Sequence, residues 1–266
     1  MQEEIEKISQ TQSLNITRLS SGKMYVEKDW IIKEIPFTIL VNGQEIVTLL
    51  CSPDKLEYLA VGFLLSEGLV KNNIPIKGVS LGKDGYYANV KVDGDLKVPQ
   101  DLFRKRLISS GCGRGPSFYD FQDIVDCRPV NSDVQINYGQ IINLMKAFQA
   151  KSSLFKKTGG VHSAALSSPD EIEIFAEDIG RHNAIDKIFG ECFLKNISTR
   201  NKIILTSGRI SSEIVIKVAK RKIPIIASRA APTDLAVRLA EKTKLSIIGF
   251  ARGKRMNIYT HNFRIK

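Results

Sequence analysis

The second half of the chain alternates short strands with helices, a pattern that few folds accommodate. Five short apolar runs predict strands, near 160–166, 171–177, 202–206, 223–227 and 245–250. Helical spacing of apolar residues predicts helices at 137–149, after Gly180, at 211–220 and at 233–242. Strands that alternate with helices of about ten residues form a layered sheet with right-handed crossovers. The pattern therefore predicts an α/β fold, with the larger domain over 137–266.

The first half predicts a smaller α+β domain over 21–105. Asn42-Gly43 lies between two apolar strand-like segments, which is a strong signal for a hairpin. Ser52-Pro53 is expected to cap and begin a helix that stops near Gly68. Two more strands are expected over 77–98, around Asp84-Gly85.

Two segments lie outside these domains. Residues 1–20 are polar and are expected to form a loosely ordered, flexible arm. Residues 106–136 are expected to be a loop and linker that joins the two domains.

The net charge of the chain gives only partial information about its binding partners. The 266 residues include 39 Lys+Arg and 28 Asp+Glu, for a net charge of +11. Such an excess favours an anionic partner, but it also fits a solvated, lysine-rich surface. The longest apolar run, 58–65, is too short for a membrane span of about 20 residues. The polar N-terminus and four scattered cysteines without a CxxC motif predict a cytoplasmic protein with reduced thiols.

Cys112 is the candidate nucleophile. It lies in the sequence SSGCGRGP at 109–116, whose glycines suit a bare loop better than a helix or strand. The adjacent Arg114 and the basic run 104–106 would favour the thiolate. The alternative is a turn with an incidental cysteine. Cys51 and Cys192 fit core positions, and Cys127 remains undecided.

Two polar segments in the second half are candidate sites. His162 follows a glycine pair in TGGVHSAA at 158–165, and it is either a hydrogen-bonded structural histidine or a base. The run EDIGRHNA at 177–184 includes Arg181 and opens a helix. It is either a capping cluster or a polar ligand site.

Two further segments have residues that are suited to binding anions. Thr206, Ser207 and Arg209 follow a strand and precede a helix, where α/β proteins bind phosphates. An ordinary strand–helix turn is the alternative. The segment 249–255 combines Phe250 with three cations and would fit a purine beside a diphosphate. A charged hairpin is its alternative.

The sequence lacks the motifs of several well-known classes of nucleotide-binding proteins and enzymes. The sequence contains no GxxxxGK[ST], GxGxxG or GxSxG. The HxE and PCxxC motifs of zinc deaminases are also missing, and three histidines with four scattered cysteines do not form a zinc site.

These segments together resemble the FdhD family, the formate dehydrogenase accessory sulfurtransferases. The resemblance covers about 30–262 and rests on NG at 42–43, SP at 52–53, VGFLLSEG at 61–68, TGGVH at 158–162, EDIGRHNAIDK at 177–187, SGR at 207–209, APT at 231–233 and GF at 249–250. It implies a three-layer α/β/α, cytidine-deaminase-like C-terminal domain without zinc, and a homodimer.

The resemblance also implies a function. A family member accepts persulfide sulfur from a cysteine desulfurase and passes it to the bis-guanine-dinucleotide molybdenum cofactor, before insertion into the formate dehydrogenase apoenzyme. Cys112 is the implied carrier, although one of the family's two loop cysteines is absent here. The implied cofactor-binding segment is Phe250, Ala251, Arg252, Gly253, Lys254 and Arg255. Arg209, His162 and Arg181 are expected to hold phosphates or assist proton transfer.

Two other functions remain open. A cofactor-binding chaperone for formate dehydrogenase would need the Phe250 segment but not the thiol. A nucleic-acid-binding protein would use the positive charge, but the sequence contains no such motif. We expect neither a nucleic-acid nor a membrane partner, and no resident metal.

Overall fold

A computed structural model describes residues 8–70, 75–94 and 129–266. Within them, twelve strands form three sheets and six α-helices pack around the two larger sheets. The predicted α/β class is confirmed. None of the described helices is long and apolar enough to cross a bilayer.

The first strands in the described residues form a hairpin that the sequence did not predict. Strand β1 (Thr11–Ser20) pairs antiparallel with β2 (Lys23–Ile32) along its whole length. The expected loosely ordered arm is therefore wrong for Thr11–Ser20. The polar composition of this segment reflects its solvent exposure, whereas its order comes from the backbone hydrogen bonds that β2 supplies.

The first unit is a four-stranded sheet covered by one helix. Its strands run in the order β4-β3-β6-β5, and they comprise β3 (Ile35–Val41), β4 (Gln44–Cys51), β5 (Ile76–Leu81) and β6 (Tyr87–Val92). Asn42 and Gly43 both have positive φ, which confirms the predicted tight turn. Helix α1 (Leu56–Ser66) packs its apolar residues on this sheet, so the unit has its own core.

Helix α1 begins later than predicted. Its first residue is Leu56, and the preceding Lys55 adopts left-handed φ of 53° without a side-chain cap. Ser52 therefore does not cap α1. Its hydroxyl accepts a hydrogen bond from the Ile179 N–H at 3.1 Å, and its own N–H donates to Asp178 Oδ2 at 3.1 Å. A contact with the second unit has replaced the local cap.

The second unit is a six-stranded mixed sheet in the order β12-β11-β10-β9-β7-β8. Its strands are β7 (His162–Ser167), β8 (Ile172–Asp178), β9 (Ile203–Thr206), β10 (Ile225–Ser228), β11 (Ser246–Arg252) and β12 (Arg255–Ile258). Strands β9, β10 and β11 are parallel, whereas β7, β8 and β12 join by antiparallel pairing. The predicted strands are all present, within a few residues of their expected bounds.

Helices cover both faces of this sheet, as the three-layer prediction requires. Helix α2 (Tyr138–Lys151) packs on one face. The opposite face carries α4 (Arg181–Leu194), α5 (Ser212–Lys220) and α6 (Asp234–Thr243). A short helix, α3 (Ser153–Thr158), lies between α2 and β7.

The two units meet where α1 crosses α4. A Cβ atom at Gly62 would lie 1.8 Å from the Asp186 carbonyl oxygen, and one at Gly190 would lie 1.9 Å from the Tyr58 carbonyl oxygen. Only hydrogen side chains at both positions allow this backbone contact. The helices therefore cross with no side chain between them.

Buried ion pairs surround this crossing. Lys187 Nζ lies 2.8 Å from Asp178 Oδ2, and neither side chain is exposed to solvent. Lys217 Nζ lies 2.8 Å from Asp186 Oδ2. It also lies 3.2 Å from Oε1 of Glu67, the residue that directly follows α1. The ends of several elements are thus fixed by charge as well as by apolar packing. The domain boundaries at 20, 105 and 136 remain predictions.

Candidate functional site

A cleft of about 660 Å³ opens at one edge of the six-stranded sheet. Ser207 follows β9, Arg229 follows β10 and Arg252 ends β11, so the carboxyl ends of three parallel strands supply one wall. The start of the antiparallel β7 adds Gly160 and His162. Ligands in α/β sheets bind at this edge, and the volume is typical of small-molecule sites.

The cleft is positively charged. Lys156, Arg229 and Arg252 line it, and none of the described residues that line it is an Asp or a Glu. The Nε atom of Arg229 is buried and has no hydrogen-bond partner among the described residues. A buried guanidinium nitrogen without an acceptor favours an anionic ligand, because such a ligand would supply the missing acceptor.

His162 lines the cleft, and its surroundings favour the neutral imidazole. Its Nδ1 lies 3.3 Å from Ser207 Oγ, which itself accepts a hydrogen bond from the Ser163 N–H at 2.9 Å. Burial and then the Arg181 cation lower the pKa of His162, while Asp178 opposes them. The imidazole is therefore uncharged near neutral pH and available as a proton acceptor.

Arg181 lies beside this histidine because Gly208 leaves room for it. A Cβ atom at Gly208 would lie 3.0 Å from Arg181 Cβ and 3.5 Å from His162 Nδ1. The SGR segment predicted as an anion site thus contributes Ser207 and a space for Arg181. Arg209 itself is exposed and is not among the described residues that line the cleft.

The segment 250–255 is only partly in the cleft. Arg252 lines it, with its guanidinium carbon 5.6 Å from the centre of the Phe250 ring. Phe250 is half-buried, and its N–H donates to the Ala230 carbonyl at 3.1 Å. Ala251 is fully buried in the core against α2, so its side chain does not reach a ligand.

The remaining residues of this segment form the turn to β12. Gly253 has φ of +63°, and Lys254 and Arg255 are exposed. The Tyr138 hydroxyl donates to the Lys254 carbonyl, which fixes the turn to the start of α2. These two cations therefore stand at the surface of the sheet's edge and not in the cleft lining.

The acidic residues of the run 177–184 have structural roles. Asp178 Oδ1 accepts hydrogen bonds from the Gly180 N–H and the Asn183 amide, at 2.8 and 2.7 Å. Glu177 accepts from the N–H groups of Leu154 and Phe155, both at 3.1 Å. Of the two interpretations of this run, the capping cluster describes its carboxylates. Ile179 lines the cleft, and Arg181 lies beside His162 without belonging to the described lining.

Sequence reasoning missed several residues of the cleft, among them Arg229 and Phe155. Arg229 belonged to no recognised segment, although its position directly after β10 was a usable signal. Phe155 lies on the six-residue helix α3, which is too short to produce a helical pattern.

The predicted nucleophile Cys112 lies outside the described residues, as does Cys127. Cys51 and Cys192 are buried, which confirms their prediction as core thiols. Burial raises the pKa of Cys192 to about 12, so it is not a nucleophile at physiological pH. Within the described residues, no group of three or more His, Cys, Asp or Glu side chains could hold a metal ion.

The fold and cleft define a two-unit α/β protein with a cationic ligand cleft at the carboxyl edge of its larger sheet. The chain belongs to the FdhD/NarQ family, whose model matches residues 32–266. The family resemblance predicted from the motifs is thereby confirmed.

Known relatives extend over nearly the whole chain. A protein named sulfur carrier protein FdhD from Bacillus licheniformis is 42% identical over 256 residues, covering 96% of this chain and 97% of that protein. The protein of the same name from Bacillus subtilis is 39% identical, covering 95% and 96%. A crystal structure described as a formate dehydrogenase accessory protein from Desulfotalea psychrophila superposes with a TM-score of 0.78 at 25% identity, covering 97% and 100%.

Proposed function

We propose that this protein is a sulfur carrier that serves formate dehydrogenase maturation. It would take sulfur from a cysteine desulfurase and pass it to the guanine-dinucleotide molybdenum cofactor, which it binds as a substrate. Two observations support the proposal: relatives of about 40% identity bear the name sulfur carrier protein, and the cleft lining is cationic without a described carboxylate. The cleft is the observation on which the proposal chiefly depends.

The first step would be sulfur loading. The thiolate of Cys112 attacks the terminal sulfur of the desulfurase persulfide, the sulfur–sulfur bond breaks, and the desulfurase cysteine leaves as a thiolate. Cys112 then carries the terminal sulfur as its own persulfide. The neighbouring Arg114 and the basic run 104–106 would stabilise the attacking thiolate.

The second step would be delivery to cofactor held in the cleft. Arg229 and Arg252 are placed to bind phosphates, and neutral His162 can accept a proton there. Release of the terminal sulfur as sulfide requires two electrons. Because the loop has one cysteine instead of two, an external thiol would attack Cys112 Sγ, form a mixed disulfide and supply those electrons.

Sulfur loading tests this proposal directly. After incubation with a cysteine desulfurase and cysteine, the intact mass should rise by one sulfur (about 32 Da), and peptide mapping should place it on Cys112. Cys112→Ala should lose this gain and should fail to activate formate dehydrogenase in cells, whereas the control Cys192→Ala should retain both. Sulfur on Cys127 would move the carrier site, and full activation by Cys112→Ala would contradict the carrier role.

A cofactor-binding chaperone is the second candidate, and the same cleft favours it. It predicts normal activation by Cys112→Ala and loss of activation by Arg252→Gln. A sulfur carrier predicts loss with both variants. The cytoplasmic location and the homodimer remain predictions of the sequence.

A further inference from the structure

Helix α3 is exposed and yet firmly attached. None of its six residues, all of which the structure describes, is buried. Apolar packing therefore does not fix its position. Instead, the buried Glu177 carboxylate accepts hydrogen bonds from the Leu154 and Phe155 N–H groups, and the Thr158 hydroxyl donates to the Leu154 carbonyl at 2.9 Å.

The β1–β2 hairpin holds the outer side of α3. Lys157 Nζ lies 3.5 Å from the centre of the Trp30 ring and 3.3 Å from Thr11 Oγ1. The chain then leaves α3 through Gly159, in a left-handed conformation, and Gly160, whose Cβ would lie 2.8 Å from Ile32 Cγ2. The glycine pair thus serves the close approach of the hairpin as well as the cleft.

These contacts hold one aromatic ring at the cleft. Phe155 lines the cleft and is 44% exposed. The other phenylalanine in the described lining, Phe148, is buried and makes an edge contact with Phe175 at 5.7 Å. Phe250, which the sequence analysis favoured, is half-buried and absent from the described lining.

We propose that Phe155 is the surface on which the purine base of the nucleotide substrate stacks. The inference rests on the proposed function, since it assumes that the cleft binds a guanine nucleotide. An accessible aromatic ring in the same cleft as Arg229 and Arg252 matches a planar base joined to a diphosphate. The buried Glu177 carboxylate orients an exposed turn of helix. This arrangement is explained if Phe155, on that turn, contacts a ligand.

Glu177 is then a positioning residue that acts through Phe155. If it does no more than stabilise the fold, Glu177→Gln should weaken nucleotide binding equally with or without the Phe155 ring. If it orients the ring, Glu177→Gln should weaken GDP binding in the wild-type background and have little further effect in Phe155→Leu.

Calorimetric titration with GDP and with inorganic pyrophosphate tests the stacking. Phe155→Leu should lower GDP affinity about tenfold and leave pyrophosphate affinity unchanged, because only the base contacts the ring. Phe155→Trp should preserve or raise GDP affinity. Arg252→Gln should lower affinity for both ligands. Phe263→Leu, at a ring that is 56% exposed outside the described lining, is the matched control and should change neither.

The outcomes separate this inference from the proposed function. Wild-type GDP binding that is unaffected by Phe155→Leu would overturn the stacking role and leave the cleft assignment intact. Equal losses for GDP and pyrophosphate in Phe155→Leu would also overturn it, since the ring would then act on the whole cleft. Absence of GDP binding to the wild-type protein would overturn the nucleotide cleft itself.

Discussion

Asp178 and Lys187 form an ion pair at 2.8 Å in which neither side chain is exposed to solvent. Asp178 ends β8 and Lys187 lies in the middle of α4, and Asp178 also accepts the Ser52 N–H from the first unit. One carboxylate therefore connects the strand, the helix and the chain that enters α1.

Asp178→Asn should lower the free energy of unfolding by about 3–5 kcal/mol, because it leaves the Lys187 ammonium buried without its counter-charge. The matched control is Asp93→Asn, which removes the exposed pair with Lys77 and should cost about 0–1 kcal/mol. Urea denaturation of both variants measures the difference. Equal, small losses would show that the buried pair contributes little.

The glycine contact between α1 and α4 gives a second prediction. Gly62→Ala or Gly190→Ala inserts a methyl group within 2 Å of a backbone oxygen, and the helices must separate. Each variant should lose about 3 kcal/mol or more of stability. Gly78→Ala, where nothing lies within 4 Å of the new methyl group, should be nearly neutral. A neutral Gly62→Ala would contradict the close crossing.

His162 should titrate below the ordinary histidine range, because burial and the Arg181 cation disfavour its charged form. NMR titration of the histidine Cε1–H signals measures this pKa, and His162→Gln identifies the resonance. Since the unfolded chain binds this proton at a higher pH, His162 makes a contribution to stability that is present above pH 6.5 and lost as the pH falls through the folded-state pKa.

A phosphate bound beside His162 should raise that pKa again, since a negative charge favours the imidazolium. Saturation with pyrophosphate should therefore shift the His162 titration to higher pH. An unchanged titration under saturating ligand would place the anion elsewhere.

The cysteines should differ in how readily their thiols are alkylated. Alkylation of the native protein with iodoacetamide at pH 8 should spare Cys192, whose pKa of about 12 leaves roughly one thiol in ten thousand ionised. Cys51, which is fully buried, should also be spared. Cys112 is expected to react first. Peptide mapping before and after urea treatment provides the comparison, and native labelling at Cys192 would contradict its burial.

The fold was predictable where each element carries its own signal. Apolar strands and amphipathic helices marked the alternation of the second unit. Asn42-Gly43 marked the hairpin of the first unit, because a tight turn needs positive φ at both positions. Ser52 misled because its local capping chemistry is used instead by Asp178 and Ile179, which lie more than a hundred residues away. Such tertiary contacts are invisible in local sequence.

The sequence predicted which segments form the cleft better than it predicted which of their side chains line it. His162 and Arg252 line the cleft as expected, whereas Ala251 lies in the core. Strand alternation decides which neighbours in a segment face a ligand, and the bulge between Gly249 and Arg252 changes that alternation locally. Phe155 could not be found from its sequence context, because a buried acid and a hairpin determine its position.

The glycine crossing has a mechanical consequence for the cleft. Helix α4 begins with Arg181 beside His162 and reaches Gly190, pressed on α1, about 13 Å further along its axis. With backbone against backbone, the crossing has no compressible side chains that could absorb a displacement. Any protein that moves the first unit against the sheet therefore also moves Arg181 and, with it, the surroundings of His162, without a loop having to rearrange.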